Sequence, residues 1–307
     1  MKKRILTAEE KLKKLKKRFC IVLSLLLVFV AAAGVYIYMN YDYLAFKHFI
    51  TGNYIYTGAM DEVFRKELNT DIKGRYYRYF DDMVISVVTK RIREENNDRY
   101  TYLFTPDSMK QYLQTEKQEA DLTELKVLDD STLYLRLTNF STYTRKFMED
   151  NLQKLKSRQD IIIDLRDDPG GDIDVMAGIS SLFLPKKALI ATDKMRLFSY
   201  TYKSKKSKPL DYRKIMILQN KNTASASENM IAALRDNLDN VTLIGGKTFG
   251  KGIGQFTLPL KRGYAVKATV LEWYTPKGIN IQGNGIEPDI PYDGDDIISF
   301  AREKLAK

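Results

Sequence analysis

The sequence predicts an α/β fold, a sheet core with covering helices, set behind a single membrane-spanning helix. Three observations predict it: a 21-residue uncharged run near the N-terminus, short apolar strand-like runs alternating with helical patterns from residue 125, and Gly- or Ser-containing turns after three of those runs. A chain of 307 residues with an apolar fraction of 44% is long enough to bury such a core, as one large domain or two small ones.

The uncharged run is FCIVLSLLLVFVAAAGVYIYM, Phe19 to Met39, which at helical rise covers a hydrocarbon core. The preceding segment, residues 1–18, holds nine Lys or Arg against two Glu, so the positive-inside rule places it in the cytoplasm and everything after Asn40 outside. AAAG at 31–34 offers small residues for signal cleavage, but the apolar run continues past it to spanning length, which favours an anchor. The net charge of +11 resides largely here; without the +7 of this segment about +4 remains with no compact basic stripe, which argues against a nucleic-acid partner. The one cysteine, Cys20, excludes an intrachain disulfide or thiolate cluster and is expected to be a buried thiol. With one histidine as well, zinc chemistry is not expected.

Beyond the membrane, Tyr77, Phe80, Val84 and Val87 fall at helical spacing, so residues 41–120 read as an N-terminal helical region, with a helix starting at Pro106. From there to 307 the pattern is that of a core domain. LKVL (125–128) and TLYLRL (132–137) read as strands, and Met148, Leu152 and Leu155 mark one helix face. DIIIDL, IMILQ (215–219), VTLIG (241–245) and YAVKATVLEW (264–273) are further strands, before a closing helix from about Asp296.

Three turns follow these strands: DLRDDPGG (164–171), TASASE (223–228) and TFGKGIGQ (248–255). DDPGG is ordinary turn chemistry, although consecutive glycines also leave N–H groups able to point at an oxyanion. Ser225, Ser227 and Glu228 suit a helix cap, yet a serine there sits beside free amides and the positive dipole end. Lys251, between Gly250 and Gly252, reads as a solvated lysine or, if buried and neutral, as a base that accepts a serine proton. His48 stands only a few residues outside the membrane and reads as interfacial or structural, so Lys251 is the candidate base for Ser225.

IIIDLRDDPGG, NTASASENMIAALRDN, IGGKTFGKGIGQ and WYTPKGINIQGNGIEPD, in that order between residues 161 and 289, resemble the carboxy-terminal processing peptidases, tail-specific serine proteases of the S41 type, in a likeness that covers about 170 residues. The resemblance implies an S41-type catalytic core over 121–307 and a Ser/Lys dyad endopeptidase without cofactor or metal. It makes Ser225 the nucleophile, Lys251 the base and Gln255 the residue that orients the lysine. Oxyanion donors fall on Gly170, Gly171 and Ala226, with Glu228, Asp236 and Thr248 in support. Thr223 stands where the family usually has serine, and the Ser-to-Lys spacing of 26 is one longer than expected. The family usually carries a PDZ domain before TLYLRL, but about 20 residues are available here, too few for a domain.

The partners implied are a protein or peptide substrate and a membrane through residues 19–39, with no nucleic acid. An adaptor replacing the PDZ domain and a homo-oligomer stay open. So does a catalytically silent peptide-binding scaffold on the same fold, against which intact Ser225, Lys251 and Gln255 argue.

Overall fold

The computed structural model describes residues 7–56, 62, 77–205 and 210–306, with the backbone alone for 77–84. First come α1 (Ala8–Met39), α2 (Tyr41–Asn53), α3 (Tyr77–Glu95), β1 (Tyr102–Phe104) and α4 (Pro106–Ala120). Then follow β2 (Glu124–Val127), β3 (Thr132–Arg136), α5 (Thr142–Asp150), α6 (Leu152–Leu155), β4 (Asp160–Asp164) and α7 (Ile173–Ser180). The chain continues through β5 (Leu189–Met195), β6 (Ser199–Lys203), β7 (Lys214–Gln219), α8 (Ala226–Asn237) and β8 (Val241–Gly245). It ends with β9 (Ile253–Pro259), β10 (Ala265–Tyr274), β11 (Ile290–Pro291) and α9 (Ile297–Leu305).

Helix α1 opens with a reciprocal cap, Thr7 N–H to Glu10 Oε2 at 2.9 Å and Glu10 N–H to Thr7 Oγ1 at 3.3 Å. It is long and apolar enough to cross a membrane, fitting an anchor or a signal sequence, and none of its residues is buried. Cys20, expected to be buried, is therefore exposed, because no other element among the described residues covers that stretch. The side chains of Tyr77, Phe80 and Val84 lie outside the described residues, while Val87 is exposed on α3.

Sheet order β11-β8-β7-β4-β3-β2 is parallel except for β2, which forms an antiparallel pair with β3. Its strands read as unbroken apolar runs because both faces are covered. Leu133, Leu135, Ile161, Ile163, Ile215 and Ile217 join the main core with Met230, Ile231 and Leu234 of α8. The alternate residues Tyr134, Ile162, Met216, Leu218 and Ile244 pack on Ile297, Ala301 and Leu305 of α9. Since β4, β7 and β8 are parallel, the loops after them, 165–172, 220–225 and 246–252, leave from one edge of the sheet. This is why three turns distant in sequence meet.

A second, antiparallel sheet has β10 at its centre, paired with β1, β5 and β9, and β6 beside β5. Strands β1, β5, β6 and β9 were not expected. β9 begins inside the stretch read as a turn, and β1 lies in the region read as helical. Three residues carry α4 into β2, so no further folded unit stands between them among the described residues.

Candidate active site

Loop 165–172 is fixed at its start by Asp164, which accepts from Arg166 Nε at 2.9 Å, Arg166 Nη2 at 2.6 Å and the Tyr134 hydroxyl at 2.9 Å. Gly170 (φ +99°) and Gly171 (φ +149°) occupy backbone space that L side chains rarely adopt. A Cβ on Gly170 would lie 2.9 Å from Ser225 Cβ and 2.8 Å from Ala226 N, and one on Gly171 would strike the Phe140 carbonyl. Gly170 is thus packed directly under the Ser225 turn, and Gly171 against the Phe140 backbone.

Ser225 precedes α8 with φ +59° and ψ −116°, a strained position for a residue with a side chain. The turn before it is tied back to the DDPGG loop: Ala224 N–H and Ser227 Oγ donate to the Asp168 carbonyl at 3.0 and 3.1 Å, and Thr223 Oγ1 to the Leu165 carbonyl at 2.8 Å. Thr223 thereby makes the hydroxyl contact available to a serine. As the first helical residue, Ala226 has an N–H without an intrahelical acceptor, and among the described residues Gly171 N–H has no backbone acceptor. Gly170 differs from expectation: its N–H donates to Asp168 Oδ1 at 2.8 Å and is not free to serve as an oxyanion donor.

Glu228, fully buried, joins the two motif loops. Its Oε2 accepts from Ser225 N–H at 2.8 Å and Lys251 N–H at 2.9 Å, and its Oε1 from Thr248 Oγ1 at 2.6 Å and Gly250 N–H at 2.7 Å. The Lys251 turn is held further by Trp273 Nε1 to the Lys251 carbonyl at 2.8 Å, Asn280 Nδ2 to the Gly252 carbonyl at 2.7 Å and Gly252 N–H to Gln282 Oε1 at 2.8 Å. WYTPKGINIQ is therefore scaffolding for the lysine turn.

Ser225, Ala226, Lys251, Gln255, Gly170 and Gly171 line one cavity of about 500 Å³. Burial pushes the Lys251 amine down to about 8, assisted by Lys267 and Arg99 and opposed by Glu228 and Asp98. Its Nζ lies 4.6 Å from the centroid of the Tyr100 ring. Gln255 lines the same cavity, with Nε2 3.5 Å from Thr269 Oγ1. Asp236 lies outside the cavity, near the far end of α8, where it pairs with Lys277 at 3.1 Å. His48 is exposed on α2 and takes no part in the cavity.

Four residues at the site carry no motif: Asp98, Arg99, Tyr100 and Lys267. Buried Asp98 accepts from Thr101 Oγ1 at 2.6 Å, Thr269 Oγ1 at 3.0 Å and the Tyr54 hydroxyl at 3.1 Å, fixing the segment that brings Tyr100 over Lys251. The alternation of aromatics in YTYLF (100–104) is the one sequence signal that marks this segment as strand.

In sequence, the chain is 32% identical over 190 residues to a probable CtpA-like serine protease of Staphylococcus haemolyticus. The match covers 57% of this chain and 38% of that relative, so the chain spans well under half its length. In fold it is similar to a lipoprotein from Streptococcus agalactiae, with TM-score 0.65, 17% identity and coverage of 87% of this chain and 96% of that one. It is also similar to a photosystem II D1 C-terminal processing protease, with TM-score 0.58, 16% identity and coverage of 82% and 92%. The family model of peptidase family S41 matches residues 131–292, more than half of the chain and all three motif loops, and the chain belongs to that family.

Proposed function

We propose that the protein is a membrane-anchored serine endopeptidase of the Ser/Lys dyad type, acting outside the cytoplasm on proteins or their C-terminal tails. The observation that carries this reading is the shared cavity, lined both by a strained serine at a helix N-terminus and by a lysine whose amine burial has brought to about 8.

Ser225 Oγ attacks the scissile carbonyl carbon as its proton passes to neutral Lys251 Nζ. The oxygen that becomes negative is received by the N–H groups of Ala226 and Gly171, with the dipole of α8 adding to the field. As the tetrahedral intermediate collapses, Lys251 returns the proton to the departing amine, leaving an ester on Ser225. Water, deprotonated by Lys251, then hydrolyses that ester. Gln255 lies beside Thr269, while the Tyr100 ring faces the Lys251 amine and Glu228 accepts from its backbone N–H, so Tyr100 and Glu228 are the groups that position Lys251. Anchoring through α1, with the basic segment in the cytoplasm, keeps the core at the outer membrane face.

The test incubates the full chain in detergent with an unstructured protein and reads products by mass spectrometry, beside Ser225→Ala and Lys251→Ala. Cleavage by the wild type and by neither variant is the expected result. Cleavage that survives Ser225→Ala would discard the dyad.

A further inference from the structure

The cavity beside Ser225 contains a buried carboxylate that the dyad mechanism leaves unused. Asp193 is 1% exposed, it lines the same cavity as Ser225 and Lys251, and neither of its oxygens has a hydrogen-bond partner among the described residues. The phenol of Tyr202 is the polar group that faces it, and its one charged neighbour there, Asp174, is also acidic. Burying a carboxyl with no counter-charge and only a phenol to favour its charged form is costly, and stability alone would remove it.

We propose that this end of the cavity is a subsite for a cationic side chain of the substrate, arginine or lysine, with Asp193 as its counter-charge. The inference rests on the peptidase reading above and names the substrate class of that site. Three observations lead to it. In the sheet, Asp193 lies opposite Trp273 on β10, so the carboxylate projects from the same face as a large ring. Trp273 and Leu271 give the cavity an apolar wall along which the methylene stem of a long side chain can lie. Among the described residues neither carboxylate oxygen has a close hydrogen-bond partner, the Tyr202 phenol interacting only weakly, which suits the two-pronged geometry of a guanidinium and ranks arginine at or above lysine. The cavity's own cations, Lys251 and Lys267, do not neutralise Asp193; Lys267 is instead influenced by Glu116. Burial pushes Asp193 up to about 7, and a bound cation would reverse that shift.

The test uses the full chain in detergent with Ser225→Ala to stop turnover. The probes are fluorescent unstructured peptides that differ at one position, scanned along the peptide, holding arginine, lysine, norleucine or glutamate. At one register, arginine and lysine peptides are expected to bind at least about tenfold more tightly than the norleucine peptide, with glutamate weakest. Asp193→Asn is expected to bring the cationic peptides to the norleucine level without changing norleucine binding, which serves as the folding control, and Asp193→Ser to do the same. Equal or absent binding at every register, or a cation preference that survives both substitutions, overturns the subsite. Cleavage by the wild type is read separately. A cation preference without cleavage keeps the subsite and discards the peptidase reading, and cleavage without preference does the reverse.

Discussion

The N–H groups of Ser225 and Lys251 donate to one oxygen, Oε2 of Glu228, at 2.8 and 2.9 Å. With Thr248 Oγ1 and Gly250 N–H on the other oxygen, a single buried carboxylate fixes the separation of two loops that leave different strands. In Glu228→Gln the amide nitrogen must face donors whichever way the group turns, because both carboxylate oxygens accept only. The expected cost is about 2–4 kcal/mol of unfolding free energy. Activity is expected to fall by more than about tenfold, in kcat more than in KM, because the loss is of alignment. Denaturant unfolding and steady-state kinetics check both.

On the proposed mechanism, lysine as base sets the pH dependence. The amine must be neutral to accept the serine proton, so kcat/KM is expected to rise with pH through about 8 and then level. Lys267 helps to hold that value down, so Lys267→Gln is expected to move the rising limb to higher pH, whereas Lys251→Arg abolishes activity at every pH. The same shift has a cost in stability. Between about 8 and 10.5 the unfolded lysine holds a proton that the native one does not, so its penalty is full below pH 8 and fades towards 10.5. Lys251→Met is expected to raise Tm at pH 7 and to raise it less as the pH approaches 10, as thermal scans would show.

Much of the site was legible because the residues that build it also obey local rules. DDPGG and TASASE follow strands whose apolar runs are unbroken, and parallel pairing of β4, β7 and β8 then places both turns and the lysine loop on one edge. What was not legible depends on long-range pairing. β5 and β6 alternate weakly, with polar residues such as Asp193 and Tyr202 facing the cavity, so their pattern carries little strand signal. Tyr100 reaches Lys251 only because β1 pairs with β10, across more than 160 residues of chain. Gly170 was expected to donate to an oxyanion, but glycine content does not reveal that Asp168, two residues earlier, takes its N–H.

The glycine pair separates positioning from chemistry. Alanine at 170 places a methyl 2.8 Å from Ala226 N and 2.9 Å from Ser225 Cβ, and must displace the serine turn at an unfavourable φ. Gly170→Ala is expected to lower kcat by about a hundredfold or more, the order of losing one oxyanion donor. The effect on the rate should exceed the loss in Tm, because the clash is with the active turn. Gly278→Ala, at φ +76° with nothing nearby, serves as the control for backbone strain alone. Kinetics and melting of the two variants distinguish a displaced nucleophile from a weakened fold.

Asp168 sits between these loops as a fully buried acid. Burial pushes it from 3.8 up to about 8; Oδ1 accepts from Gly170 N–H, and Oδ2 has no partner among the described residues. Because the native value is raised, the stability this group contributes is complete below 3.8 and is lost as pH rises towards 8, while the unfolded chain is already ionised. Asp168→Asn keeps the oxygen that accepts from Gly170 and removes the titration. Unfolding free energies measured in denaturant at pH 5, 6, 7 and 8 are expected to fall for the wild type relative to the variant, with the two nearest at pH 5. Activity at pH 7 is expected to persist in Asp168→Asn, because the loop requires only an acceptor at that atom. Parallel curves would mean that the wild-type carboxyl is ionised throughout this range, with Gly170 N–H bound to a charge.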